Sequence, residues 1–143
     1  MANRAQILHI LKRLFFILTG HALASIASGI IVGLVYAWND IINKPDVGSM
    51  LSHTLSTCAI VTLFIAMYAA LPAAVTALIG EITVNQNKFY YSIAGCLIGV
   101  ALPIYVGMTF LLPVGLLLGP VAGLIYWRVA GRNAGLWQMK APG

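Results

Sequence analysis

The stretch 115-GLLLGPVAGLIYWRVAGRNAG-135 places glycine at positions 115, 119, 123, 131 and 135, with Trp127 at the step where the repeat lacks one. In water a glycine inside a helix costs about 1 kcal/mol relative to alanine, so a glycine every fourth residue in an apolar run needs a reason. Composition supplies the medium. The chain is 61% hydrophobic and 8% charged, far from the roughly half apolar and quarter charged make-up of soluble domains. In hydrocarbon, a helix backbone has no water to hydrogen-bond instead, so the penalty on glycine loses its main source. Helix association there depends on close backbone approach, dispersion and weak Cα–H···O contacts, which small residues permit.

The uncharged runs locate the spans. Residues 14–39, 47–80 and 89–127 carry no Asp, Glu, Lys or Arg. A hydrocarbon core of about 30 Å takes about 20 helical residues, so the first two runs each supply one span. The third fits two, joined near Val106 to Phe110, where Gly107 and Pro113 are local breakers. The reading is an all-α integral membrane protein, one domain over residues 1–143. It has four transmembrane helices in a bundle with glycine-mediated close packing: 14–38, 55–79, 89–106 and 111–129. A re-entrant hairpin over 89–129 is the rival, and it would put the chain ends on opposite sides. Residues 1–13 either form an amphipathic segment on the leaflet or extend the first helix.

Charge asymmetry favours four spans. They collect Arg4, Lys12, Arg13, Lys88, Arg128, Arg132 and Lys140 on one side and leave Lys44 alone on the other. That is the pattern of cytoplasmic termini, and the expected location is a cell membrane, the cytoplasmic (inner) membrane of a bacterium. Trp38 and Trp127 fall at opposite faces as interfacial anchors, with Arg128 and Arg132 reaching toward lipid phosphate and Trp137 and Lys140 beyond them. The net charge of +5 does not mark a nucleic-acid protein, because the basic residues lie at chain ends and one loop rather than on a patch. The first apolar run exceeds the 7–15 residues of a signal-peptide core, which argues against cleavage.

Small-residue stripes recur on three of the four helices. Gly115, Gly119 and Gly123 line the last, Gly95 and Gly99 the third, and Ser25, Gly29 and Gly33 the first. Their four-residue step favours right-handed crossings. Whether each stripe meets a helix of this chain, a second copy or another subunit is left open by the sequence. Pro72, Pro103 and Pro120 lie within spans and free the carbonyls of Tyr68, Gly99 and Leu116.

Little chemistry is available. No ionisable group of the usual transport type lies deep in a span, which counts against a proton-driven pump. His21, Ser25 and Ser28 share one face of the first helix. They are the candidate polar site, either toward a ligand or as a hydrogen bond to a neighbouring helix, for example to Thr76. A bis-histidine haem would need a second imidazole at equal depth. His53 instead sits at the start of the second helix, capped by Ser52, so no cofactor is expected. Cys58 and Cys96 lie at different depths and read as small core residues. No CxxC, HExxH, GxSxG or P-loop occurs, so there is no catalytic or metal assignment. Glu81 is expected to pair with Lys88 at the surface.

Three function classes remain, in descending order. The first is a structural, accessory or assembly subunit of a membrane complex, or a homo-oligomer, with the lipid bilayer and other membrane subunits or its own copies as partners. The second is a small oligomeric channel or transporter lined by the His21/Ser25/Ser28 face. The third is a membrane enzyme. The topology has a direct test in a bacterial host. Green fluorescent protein fused after Gly143 is expected to fluoresce and alkaline phosphatase at the same point to be inactive; the reverse pair would refute cytoplasmic termini.

Overall fold

The computed structural model describes residues 4–43 and 47–135. Lys44, Trp137 and Lys140, read above from their charge and ring type, lie outside them. The described chain is helical throughout: α1 (Arg4–Asn43), α2 (Val47–Tyr68), α3 (Ala70–Ile82), α4 (Lys88–Tyr105) and α5 (Leu112–Val129), with 3-10 turns at Thr109–Leu111 and Gly131–Asn133. Four of these helices are long and apolar enough to cross a membrane, namely α1, α2, α4 and α5. At 18 residues each, α4 and α5 are about 27 Å long, close to a hydrocarbon thickness, so residues 89–129 hold two helices each long enough to cross.

Residues 4–13 join the first helix directly. As one helix of 40 residues, α1 is about 60 Å long and outruns any single hydrocarbon core. The expected start of the second helix also moves: α2 begins at Val47, so Ser52 and His53 lie inside it instead of capping it. The expected single span over 55–79 is interrupted. The Ala69 N–H still donates to the Ile65 carbonyl at 2.9 Å, and the ladder resumes with Ala73 N–H on the Ala69 carbonyl at 2.9 Å. Pro72 has no N–H for the Tyr68 carbonyl and its ring crowds that turn, which breaks the helix at Ala69 and starts α3. Pro103 and Pro120 leave α4 and α5 uninterrupted.

α1 packs against both α2 and α5, and α4 runs along α5, while the short α3 touches α1, α2 and α4. The interior is made of small residues. The buried apolar residues are Ala24, Ala69, Ala77, Ala130, Ala134 and one large side chain, Tyr91, among those described. Large side chains face outward instead, with Leu63, Met67, Leu97 and Leu117 all at least 65% exposed. This inverts the arrangement of a water-soluble protein and suits a solvent as apolar as leucine.

The α4–α5 contact shows what the glycines do. The two helices are antiparallel. A Cβ on Gly115 would collide with the Gly99 carbonyl oxygen, one on Gly119 with that of Gly95, and one on Gly123 with that of Tyr91. Seen from α4, a Cβ on Gly95 would lie 3.0 Å from the Gly123 Cα, and one on Gly99 would lie 3.1 Å from the Gly119 Cα. The backbones therefore meet directly, with carbonyl oxygens of one helix over the Cα atoms of the other. Pro103 contributes by withholding the N–H that would otherwise occupy the Gly99 carbonyl. On the other pair, Gly29 and Gly33 of α1 sit against Thr62 and Cys58 of α2, and Gly20 against the Tyr126 ring of α5. The α4–α5 turn closes through Gly107, whose φ of +72° lies in the left-handed region that glycine enters without strain.

Gly119→Leu is expected to destabilise the protein by about 1–3 kcal/mol or to prevent its accumulation, since backbone on both sides cannot yield. Thermal unfolding in detergent measures it. A midpoint equal to wild type would mean that α4 and α5 do not meet at this glycine.

Candidate functional site

Two polar features stand out, one at each level of the helices. The first lies at the end of the molecule marked by Arg13. Arg13 of α1 is paired with Glu81 of α3, the two side chains being 13% and 10% exposed. Its Nε–H donates to Glu81 Oε1 at 2.7 Å, and a terminal guanidinium nitrogen donates both to the same oxygen and, at 2.7 Å, to the Ala130 carbonyl at the end of α5. The second carboxylate oxygen accepts the Gly135 N–H at 3.0 Å. One ion pair thus ties together α1, α3, the end of α5 and the segment after it. Arginine is suited to this, because its planar fork serves two acceptors at once.

Around it the 83–87 loop is held to the same segment. Trp127 Nε1 donates to the Gln86 carbonyl at 2.7 Å, Gln86 Nε2 to the Ala134 carbonyl at 3.1 Å, and the Tyr91 hydroxyl to the Asn85 carbonyl at 3.1 Å. The Tyr91 ring lies over Gly131, and Gly80 makes room for its hydroxyl. Gly135 (φ +71°) abuts Val84, which itself has φ +52°. For a β-branched residue that conformation is strained, and it persists here where the surrounding contacts determine it. The expected Glu81–Lys88 surface pair is therefore corrected: Glu81 is buried and bound to Arg13. Trp127 is half-buried and bonded to the loop, whereas Trp38, at 68% exposed, and Arg128 and Arg132 are open.

The second feature is a cleft between the α1–α2 pair and the α4–α5 pair, with a cavity of about 450 Å³. His21, Ser25 and Ser28 all line it, together with Gly95, Gly99, Gly115, Gly119 and Gly123. Each hydroxyl is spent locally: Ser25 donates to the His21 carbonyl at 3.0 Å and Ser28 to the Ala24 carbonyl at 2.9 Å. His21 Nε2 lies 3.0 Å from the Ala66 carbonyl of α2. That carbonyl sits where the backbone ladder is interrupted before Pro72, so the imidazole supplies a donor where the helix no longer does. Thr76, the expected partner of His21, instead donates to the Pro72 carbonyl at 2.9 Å, and its own carbonyl accepts the Tyr90 hydroxyl at 3.0 Å. His53 is exposed on α2, and Cys58 and Cys96 are free thiols beside glycines of the neighbouring helices. Among the described residues no group of three His, Cys, Asp or Glu could hold a metal ion.

Nothing in the residue order points to the Arg13–Glu81 pair beyond the expectation that both residues lie at the same membrane boundary. The signal available was that Glu81 is the single glutamate of the chain. Compared with protein-family models, curated proteins and solved structures, the chain matches none. Its class is defined by its own helices: an all-helical protein with four segments able to cross a membrane.

Two substitutions separate the features. Arg13→Ala strands a buried carboxylate and is expected to destabilise by about 3–5 kcal/mol, with Arg13→Lys recovering only part because one ammonium cannot reproduce the fork. Equal melting of Arg13→Ala and wild type in detergent would deny the pair a structural role. His21→Ala removes one interhelical hydrogen bond and is expected to cost about 0.6–1.7 kcal/mol by the same measurement. A complete loss of folding would show that His21 does more than serve the Ala66 carbonyl.

Proposed function

We propose that this chain is a multi-pass protein of a bacterial cytoplasmic membrane, with both termini cytoplasmic, acting as a structural or assembly subunit of a membrane complex or homo-oligomer. Its helices form a bundle held by glycine-mediated contact, which supplies rigidity without large side chains. The orientation is supported by the end of the helices marked by Arg13. Arg4, Lys12, Arg13, Lys88 and Arg128 lie toward that end, with Arg132 in the turn that follows α5. Such an excess on one side faces the cytoplasm.

The observation that carries the packing role is the disposition of polar groups facing the cleft. The hydroxyls of Ser25, Ser28 and Thr76 are bonded to their own helices and the Nε2 of His21 to the backbone of α2, so these groups are engaged with protein rather than free for solute. A second reading, a small oligomeric channel or transporter lined by the His21/Ser25/Ser28 face, has in its favour that this face borders the cavity. Against it, ion and proton pathways use ionisable groups with free valences inside the bilayer. No catalytic role is assigned.

Purification from native membranes distinguishes the two. Stoichiometric retention of other membrane proteins, or a stable homo-oligomer that leaves reconstituted vesicles sealed to ions and small solutes, is the expected result. A pure preparation that conducts or exchanges solute, and loses this in His21→Ala with its melting profile intact, would replace the packing role with transport.

A further inference from the structure

The cavity has a length as well as a volume. It is lined along α4 from Tyr91 to Val106 and along α5 from Leu111 to Tyr126, about 22 Å at 1.5 Å per residue. A volume of about 450 Å³ for the centres of water-sized spheres over that length averages about 20 Å² in section, about 5 Å across, or about 8 Å between wall surfaces once a radius of about 1.4 Å is added on each side. An α-helix with its side chains is about 10–12 Å wide, so no helix of a second copy or partner fits within it. A single methylene chain does, with wall atoms within van der Waals reach at carbon separations of about 3.5–4.0 Å. The cavity is also longer than the roughly 15 Å that one leaflet's chains occupy, so a chain lies in it lengthwise.

The wall chemistry selects the same occupant. Glycine backbone from α4 and α5, Ala24, the Phe64 ring and aliphatic side chains such as Ile98 and Leu118 make it largely apolar, and its serine hydroxyls are already engaged with their own helix. A polar solute would find few groups to bond, and water needs two to four polar partners to be held. Left empty, the wall atoms would forfeit their dispersion contacts. Toward the Arg13 end the Tyr91 and Tyr126 rings, 5.5 Å apart, line the cavity, and the Tyr90 hydroxyl donates to the carbonyl of Thr76, another lining residue. At the other end Tyr36 and Met108 line the cavity and are exposed, as is Ile60 along α2. Beside it Tyr68 bridges α2 to α4, with ring centroids 4.4 Å from Phe64 and 6.3 Å from Tyr105.

We propose that this cleft is a binding site for one acyl chain of a membrane phospholipid, entering from the leaflet at the Tyr36 end. The site rests on the membrane reading above, and the test keeps the two apart. The protein is reconstituted in phosphatidylethanolamine–phosphatidylglycerol vesicles containing phosphatidylethanolamine with a diazirine midway along one acyl chain. After irradiation, labelled residues are mapped by peptide mass spectrometry.

Label on the cavity-lining Ile98 and Leu118 is expected alongside label on the outward-facing Leu97 and Leu117. In Ala94→Phe, which fills the cavity from α4, the Ile98 and Leu118 label should fall at least tenfold while Leu97 is unchanged. Ala73→Phe fills it from α3 should the first variant fail to fold, and the wild-type map stands without either. Label at Leu97 and Leu117 with none at Ile98 and Leu118 would overturn the site and leave the membrane reading intact. Absence of label at all four would overturn the membrane reading itself. Undiminished cavity label in a folded filled variant, or displacement of the label by a long-chain isoprenoid and not by unlabelled phospholipid, would overturn the acyl-chain assignment.

Discussion

Everything in this structure depends on two helix backbones meeting without side chains between them. Along α4 and α5, the carbonyl oxygens of Tyr91, Gly95 and Gly99 occupy the positions where Cβ atoms of Gly123, Gly119 and Gly115 would be. Each such contact is weak, about half an ordinary backbone hydrogen bond, and it has to be repeated to matter. Repetition is what the four-residue spacing provides, because it returns each glycine to nearly the same face of its helix. In water the same helices would gain more from leucine at the interface. In lipid, leucine gains nothing by leaving its solvent, and the large side chains accordingly lie outside.

Backbone contact alone does not say how the α4–α5 pair should sit against the rest. That is fixed at one end by Arg13. A guanidinium that bonds a carboxylate on α3 and a carbonyl at the end of α5 constrains three elements, and the carboxylate's second oxygen holds a fourth through Gly135. Replacing such a pair with apolar residues often leaves stability unchanged or improved, so its value here is geometric. Dispersion contacts tolerate sliding along a smooth glycine surface, and a directional ion pair does not. Strain at Val84 is consistent with this, since the loop is drawn into an unfavourable backbone conformation by the groups on both sides of it.

How far the fold could be read in advance follows from the range of the interactions involved. The third and fourth spans, expected at 89–106 and 111–129, lie at Lys88–Tyr105 and Leu112–Val129 because charge and apolar length are local quantities. The break at Ala69 was half legible: Pro72 frees the Tyr68 carbonyl in any helix, yet Pro103 and Pro120 do the same and leave their helices whole. What separates them is tertiary. The Gly99 carbonyl freed by Pro103 is covered by Gly115, whereas near Pro72 the ladder opens and His21 arrives from α1. The glycine stripes were visible, but their partners were not, since a stripe records that something approaches and carries no address. Glu81 was misassigned to Lys88 for a related reason. Sequence distance favoured the near cation, while the fold brought Arg13, 68 residues away, to the same point.

The cleft is a consequence of the packing rule and not an addition to it. Helices stripped to glycine and alanine approach closely where they are antiparallel neighbours, as α4 and α5 are. Where two such pairs diverge, the side chains that line the gap leave it open. Ala24, Ala69 and the α4 and α5 glycines line that gap, and the Ser25 and Ser28 hydroxyls there are turned onto their own helix. A protein in water would close such a void or flood it. In a bilayer the solvent is itself a chain narrow enough to enter the cleft, so the small residues that let the backbones touch also bear on what lies between the pairs.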